Sequence, residues 1–264
     1  MTNTSEQAYW REVPSVNIGL QSIAVAGRGE LAEVMAHDCL SSRLFDRVGK
    51  ARLVMDANGQ GVSLYARDQV YRSAVDAAHL VHADGGFLVT FSRWFSQQPI
   101  QERSATTDLI HDFAERAVRD GLSFYLLGGQ EATNAAACDE LQRRYPGLNI
   151  AGRRNGYFSE EQIVEVLEDI NRLNPDVLWV GLGKPKEQLF AARWASAIRA
   201  GWIVTCGGCY SYITGEYSRA PGWMQRWNLE WAHRMFTRPR QLLWRYMTTT
   251  PHALWVVFAN RDRS

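Results

Sequence analysis

The chain has 264 residues and a formal charge of +1, with 46% hydrophobic and 22% charged residues, 21 glycines and 8 prolines. This composition lies in the globular band, excludes disordered, collagenous and disulfide-scaffold classes, and allows one large domain with a short appendage. A near-neutral total removes any argument for a polyanionic partner from net charge, so nucleic acid is not expected, although a local basic patch stays open.

Residues 1–12 are polar with no apolar core, so no secretory leader is expected. The apolar run 253–259 is about a third of the ~20 residues that cross a bilayer. A cytoplasmic protein is expected. Upstream of residue 217, short apolar runs alternate with helical periodicity. In chain order the pattern predicts a strand over 51–55, a helix over 63–80, a strand over 87–90, a helix over 107–120 and a strand over 124–127. Helices over 131–145 and 159–173 follow, then a strand over 177–180, a helix over 186–200 and a strand over 202–205. Gly121 and Asn174-Pro175 mark helix ends. The alternation predicts an α/β, Rossmann-like fold with a largely parallel sheet and helices on both faces.

Charge divides the chain: residues 1–216 hold 21 basic against 26 acidic side chains, and residues 217–264 hold 8 against 2, or −5 and +6. The expected organisation is therefore a body over 1–216 and a basic helical appendage over 217–264. The appendage also holds five of the ten tryptophans, and Trp223, Trp227 and Trp231 recur at i, i+4 and i+8 among arginines. Such a stripe packs in a core or sits among lipid headgroups and anionic ligands. The cysteines, Cys39, Cys138, Cys206 and Cys209, fit reduced thiols. Cys206 and Cys209 have half of a zinc site's spacing without a second pair, so a structural role is expected.

In such a sheet ligands bind beyond the carboxyl ends of the strands. The loops to read are Asp56-Ala-Asn58-Gly59-Gln60-Gly61, Gly128-Gly129-Gln130, Gly181-Leu-Gly183-Lys184-Pro-Lys186-Glu187-Gln188 and Gly207-Gly208. Each could bring backbone N–H groups close to a phosphate, and each could equally be an ordinary turn. None has the full spacing of a dinucleotide or P-loop fingerprint. His82-Ala-Asp84-Gly85-Gly86 sets an acid beside glycines, at what reads as the entrance to the strand 87–90.

Several motifs stand in a fixed order: Asn58, Asp84-Gly85, Arg103 before Thr107-Asp108, Leu126-Leu-Gly-Gly129, Tyr145-Pro-Gly147 and Gly156-Tyr-Phe158. They are followed by Gly181-Leu-Gly-Lys-Pro-Lys186, Arg219-Ala-Pro221, Leu229-Glu-Trp231, Arg234 and Pro239-Arg240. In this order they resemble the WecG/TagA/CpsF family of bacterial glycosyltransferases over roughly 51–246. The resemblance implies transfer of a sugar, with inversion, from a UDP-sugar to a polyprenyl-diphosphate-linked sugar at the inner face of the cell membrane, without a cofactor or a metal site. It places the base that takes the acceptor proton at Asp84, with Arg219 beside it in the catalytic set. Asp56, Asn58, Gly128, Gly129, Lys186, Glu187, Gln188, Arg234, Arg238 and Arg240 are expected to bind the substrates. No Asp-x-Asp pair occurs, so arginines would neutralise the departing diphosphate.

Two positions depart from the family pattern. Glu187-Gln188 stands where Gln-Glu is common, leaving open which side chain holds the donor. Asp56 stands where a Thr is common, adding a carboxylate that is either an alternative base or a neighbour tuning Asp84. The stretch 56–68 most resembles members that add a β-1,4-linked glucose to a lipid-linked glucose in xanthan assembly, which implies UDP-glucose; UDP-N-acetylmannosamine or its uronic acid is the alternative donor. A non-enzymatic docking protein at the membrane surface is the alternative of another class. Oligomeric state stays open.

Overall fold

The computed structural model describes residues 9–43, 51–226, 230–237 and 239–261. A 3-10 turn (Tyr9–Glu12) leads into an antiparallel hairpin, β1 (Ser15–Ile18) and β2 (Gln21–Ala24), and then helix α1 (Arg28–Ser42). The body continues with β3 (Arg52–Ala57), α2 (Gly59–Arg67), α3 (Gln69–Asp76), β4 (Leu80–Ala83), α4 (Gly86–Phe95), α5 (Thr106–Asp120) and β5 (Ser123–Gly128). After these come α6 (Glu131–Arg144), β6 (Asn149–Arg154), α7 (Ile163–Leu173), β7 (Val177–Gly181), α8 (Lys186–Trp194), β8 (Trp202–Thr205) and α9 (Cys209–Ile213). The basic segment forms α10 (Gly222–Arg226), α11 (Glu230–Thr237) and α12 (Pro239–Ala259).

Strands β3 to β8 make one parallel sheet in the order β4-β3-β8-β7-β5-β6. Successive side chains leave a strand on opposite faces. Phe124 and Leu126 of β5, Val177 and Trp179 of β7, and Trp202 and Val204 of β8 therefore pack on one face, against Leu109, Phe113 and Leu141 of α5 and α6. Their neighbours Tyr125, Leu127, Leu178, Val180 and Ile203 pack on the other, against Val166, Ile170 and Phe190 of α7 and α8. A sheet covered on both faces needs apolar residues at every position, which is why these strands read as unbroken apolar runs.

The structure corrects three predicted elements. Residues 87–90 are helix α4, not a strand, and the predicted helix 63–80 ends early, with α2 and α3 followed by strand β4. The reason is burial: β4 pairs beside β3, with Leu80, His82 and Ala83 buried, so packing overrides a pattern that continues the helix. Asp84 thus stands at the exit of a strand, among the loops that face ligands. The predicted helix 186–200 is shorter, ending at Trp194. The tryptophan stripe is divided between α10 and α11, where Trp223 and Trp231 are exposed; Trp227 lies outside the described residues. The appendage also shares the body's interior: Ala253, Val256 and Val257 of α12 are buried with Ile18, Ile23 and Leu88.

The connection from β5 runs outward to β6, whereas that from β7 runs the opposite way to β8, leaving a crevice beyond their carboxyl ends. Gly128 closes β5 there with φ +129°, and a Cβ on it would lie 2.2 Å from the carbonyl oxygen of Gly181 at the end of β7. Only glycine suits both the dihedral and the contact. Gly128→Ala is expected to cost at least about 2 kcal/mol; a wild-type midpoint in denaturant unfolding contradicts this.

Candidate active site

Asp56, the penultimate residue of β3, is the hub of the strand ends. Its Oδ1 accepts from Gln188 Nε2 at 3.1 Å and Thr205 Oγ1 at 3.2 Å. Its Oδ2 accepts from Asn58 Nδ2 at 3.0 Å and Lys184 Nζ at 2.9 Å. Lys184 Nζ also donates to the Asp56 carbonyl at 2.7 Å. Both charged side chains are buried. Burial opposes the lysine's charge, but Asp56 beside it outweighs that and raises its pKa above the ordinary value. Glu187 is buried next to this pair; desolvation and the charge of Asp56 push its carboxyl pKa up. It accepts from the N–H groups of Gly183 at 3.0 Å and Gly207 at 2.9 Å, joining the loops after β7 and β8.

Asn58 carries this order into the cavity. Its Oδ1 caps α2 by accepting from Gly61 N–H at 3.1 Å. The adjacent loop is drawn in by the N–H groups of Asp84 and Gly85, which donate to the Ala57 carbonyl at 2.9 and 3.0 Å. A Cβ at Gly85 would lie 3.0 Å from Asn58 Cα, so the close approach needs glycine. The N-termini of α2 and α4 consequently face one cavity of about 280 Å³, lined by Asn58, Gly59, Gly85, Gly86 and the carboxylate-bearing Asp84. Asp84 Oδ1 accepts from Thr106 N–H at 3.2 Å.

The appendage supplies the opposite wall with Glu230, Trp231, Arg234, Arg245, Tyr246 and Leu254, and the body adds Arg103 and Phe87. Glu230 Oε1 accepts from Arg234 Nη2 at 2.7 Å, and Oε2 pairs with Arg103 Nη2 at 2.7 Å. Burial works against the Glu230 charge, but the two guanidiniums overcome it and hold the carboxyl at about 2. Arg234 lies over the Tyr212 ring, 5.0 Å from its centroid. Its own burial is outweighed by Glu230, Tyr212 and Asp84, which raise its pKa. The cavity lining thus combines ionic side chains with the apolar surfaces of Phe87, Tyr246 and Leu254.

The structure distributes the sequence-predicted site residues. Asn58, Asp84 and Arg234 meet in this cavity. Gly129 and Lys186 line a second one of about 550 Å³ beyond β5 and β7, with Tyr157, Phe158 and Leu182. Asp56, Glu187 and Gln188 line neither cavity and form the buried network that joins the loops on its two sides. Arg219 does not line the Asp84 cavity; both its terminal nitrogens meet Asp108, Nη2 at 3.0 Å from Oδ2. Arg238 lies outside the described residues, and nothing of the Arg240 side chain is described. Cys206 and Cys209 are buried free thiols. Sequence reasoning left Lys184, Arg103, Arg245 and Glu230 out of the site. Arg103 and Glu230 did stand within ordered motifs, and Glu230 is one of only two acids in the basic segment.

The Glycosyl transferase WecG/TagA/CpsF family model matches residues 31–264. The chain belongs to this family. It is 26% identical over 235 residues to an N-acetylglucosaminyldiphosphoundecaprenol N-acetyl-beta-D-mannosaminyltransferase of Bacillus spizizenii, covering 89% of this chain and 88% of the relative. It is 27% identical over 198 residues to the protein of the same name in Bacillus subtilis, covering 75% of each. The chain is accordingly a glycosyltransferase of the family. Among the described residues no group of three or more His, Cys, Asp or Glu could hold a metal, and no helix is long and apolar enough to cross a membrane.

The depressed Glu230 gives a pH signature. Its carboxyl titrates near 4.5 in the unfolded chain and near 2 in the folded one, so its stabilisation is complete above 4.5 and lost as pH falls towards 2. The stability difference between wild type and Glu230→Gln in denaturant unfolding is expected to be fullest above pH 4.5 and to shrink below it. A difference independent of pH contradicts the ion triad.

Proposed function

We propose that the chain transfers a hexose, with inversion, from a UDP-sugar to a polyprenyl-diphosphate-linked sugar in exopolysaccharide assembly. The observation that carries this reading is that Asp84 lines one cavity together with Arg103, Arg234, Arg245 and the apolar side chains of Phe87, Tyr246 and Leu254. The charged and polar lining suits sugar and diphosphate, and Phe87, Tyr246 and Leu254 suit the start of a lipid chain. The second cavity, at Gly129 and Lys186 beyond β5 and β7, would take the nucleotide part of the donor.

The acceptor hydroxyl oxygen attacks the anomeric carbon on the face opposite the diphosphate, and Asp84 takes its proton as the bond forms. The bond from the anomeric carbon to the diphosphate oxygen breaks, and the electron pair leaves with UDP. Arg234, Arg245 and Arg103 stabilise the charge that builds there, helped by the N-termini of α2 and α4. Arg219, bound to Asp108, supports that wall from outside the cavity. Asp56 is excluded from the proton transfer by its four donors.

Glucose from UDP-glucose, added in β-1,4 linkage as in xanthan assembly, is the donor proposed, on the likeness of residues 56–68. The names of the two Bacillus proteins favour N-acetylmannosamine as the second reading. The enzyme would work attached to the inner membrane face through segment 217–264. Trp244, Met247, Trp255 and Phe258 of α12 form an exposed apolar stripe, continued by Trp94 and Phe95 of α4. Each basic residue near an anionic surface contributes about 1 kcal/mol.

Release of UDP from a panel of UDP-sugars, with a polyprenyl-diphosphate glucose acceptor, tests the reading. UDP-glucose should turn over, and do so in excess EDTA; turnover of UDP-N-acetylmannosamine alone moves the donor, and none from any donor removes the reaction. Asp84→Asn should lower turnover by at least about 10²-fold with donor affinity little changed, and Asp56→Asn by less. A larger loss in Asp56→Asn would transfer the base to Asp56.

A further inference from the structure

Among the described residues, Glu230 is the one carboxylate that the basic segment places in the cavity wall, and it binds two arginines from different parts of the chain. Arg103 precedes α5 in the body and Arg234 lies one turn along α11, and both reach it at 2.7 Å. Its side chain is 3% exposed and theirs are 14% and 23%. All three line the cavity that holds Asp84. Arg234 Nε is buried without a hydrogen-bond partner among the described residues, so this guanidinium keeps an unspent donor after satisfying Glu230 and stacking on Tyr212.

Two guanidiniums on one wall repel each other, and without a counter-charge each turns towards solvent or another acid. A carboxylate hydrogen-bonded through one oxygen to Arg234 and in close ion-pair contact through the other with Arg103 fixes their separation and holds both on the same wall.

We propose that Glu230 is a positioning residue for the transfer reaction: it holds Arg103 and Arg234 as a fixed cation pair facing the departing diphosphate. This rests on the reaction proposed above. Orientation matters most where charge develops in the transition state, whereas simple attraction of an anion needs only positive charge nearby. Removing the carboxylate frees the arginines and leaves two uncompensated positive charges in the cavity. The consequence is a split: slower turnover without weaker anion binding. A residue that only tethered the appendage would behave otherwise, since its loss would withdraw Arg234 and weaken anion binding as well.

The test uses the full chain with Glu230→Gln, measuring turnover at saturating substrates and, separately, binding of inorganic pyrophosphate by calorimetry. Turnover should fall roughly tenfold or more, with pyrophosphate bound at least as tightly as by wild type. Wild-type turnover, or turnover and pyrophosphate affinity falling together, overturns the proposal. Should Glu230→Gln not fold, Glu230→Asp keeps the charge but is one methylene too short to reach both arginines. The same slow turnover with undiminished pyrophosphate binding is expected of it, and wild-type turnover there overturns the proposal equally. A wild-type protein that transfers no sugar is a failure of the proposed reaction instead; pyrophosphate binding weakened by Arg103→Gln and by Arg234→Gln would still locate the cation pair.

Discussion

The ion pair of Asp56 and Lys184 is the constraint on which the active-site end of this molecule depends. A buried charge pair is tolerable only when the remaining hydrogen-bonding capacity is filled. Here the filling is done by residues from different elements: Thr205 from β8, Gln188 from α8 and Asn58 from the start of α2. Each satisfies the pair and is held by it. The ends of β3 and β8 and the loop after β7 are thereby fixed relative to one another, and Glu187 extends the tie to the backbone of Gly183 and Gly207. Glycine-rich loops that would otherwise be slack acquire one geometry.

From that anchored floor the two cavities follow. Asn58 caps α2 and turns its first N–H groups towards the same space as those of α4, so two helix N-termini converge where Asp84 stands. The appendage completes this space rather than merely lying over it. Ala253, Val256 and Val257 share a core with the hairpin and α4, and Ser63 of α2 meets His252 Nδ1 at 3.0 Å. Glu230 and Arg234 of α11 and Arg245, Tyr246 and Leu254 of α12 line the cavity, and α12 also carries Trp244 and Trp255 exposed on its surface.

How much of this was legible follows from what each residue must do. Strands β5, β7 and β8 were visible because burial on both sides demands apolar residues throughout. Edge strand β6, Asn149–Arg154, carries two arginines and a glycine and gives no such signal. β4 has only four residues, one of them the buried His82, and α4 opens with Gly-Phe-Leu-Val-Thr, which reads as a strand until its partner is known. The loops were found from glycines and strand ends alone. Lys184 stands in one of those loops but was not assigned to the site, because a lysine in a loop reads as solvated, and only the fold shows Asp56 at 2.9 Å from it. Glu230 was hidden by the opposite effect: in a segment read for its positive charge, the informative residue is an acid.

The two aspartates at the ends of adjacent strands show why residue type alone cannot assign a role. Asp56 and Asp84 leave the paired strands β3 and β4, within the same glycine-rich surroundings. Four side-chain donors close the carboxylate of Asp56, two on each oxygen, and a proton arriving there would have to displace one of them: Gln188 or Thr205 at Oδ1, Asn58 or Lys184 at Oδ2. Asp84 accepts one backbone N–H, from Thr106, and lines a cavity shared with Arg103, Arg234 and Arg245. A general base needs a lone pair that can reach the reacting hydroxyl and a proton it can hold without dismantling its surroundings. In the proposed reaction Asp84 is the residue that meets both conditions, and the donors on Asp56 close it to that role. The carboxylate at position 56 instead joins Lys184 in the network that ties the strand ends together.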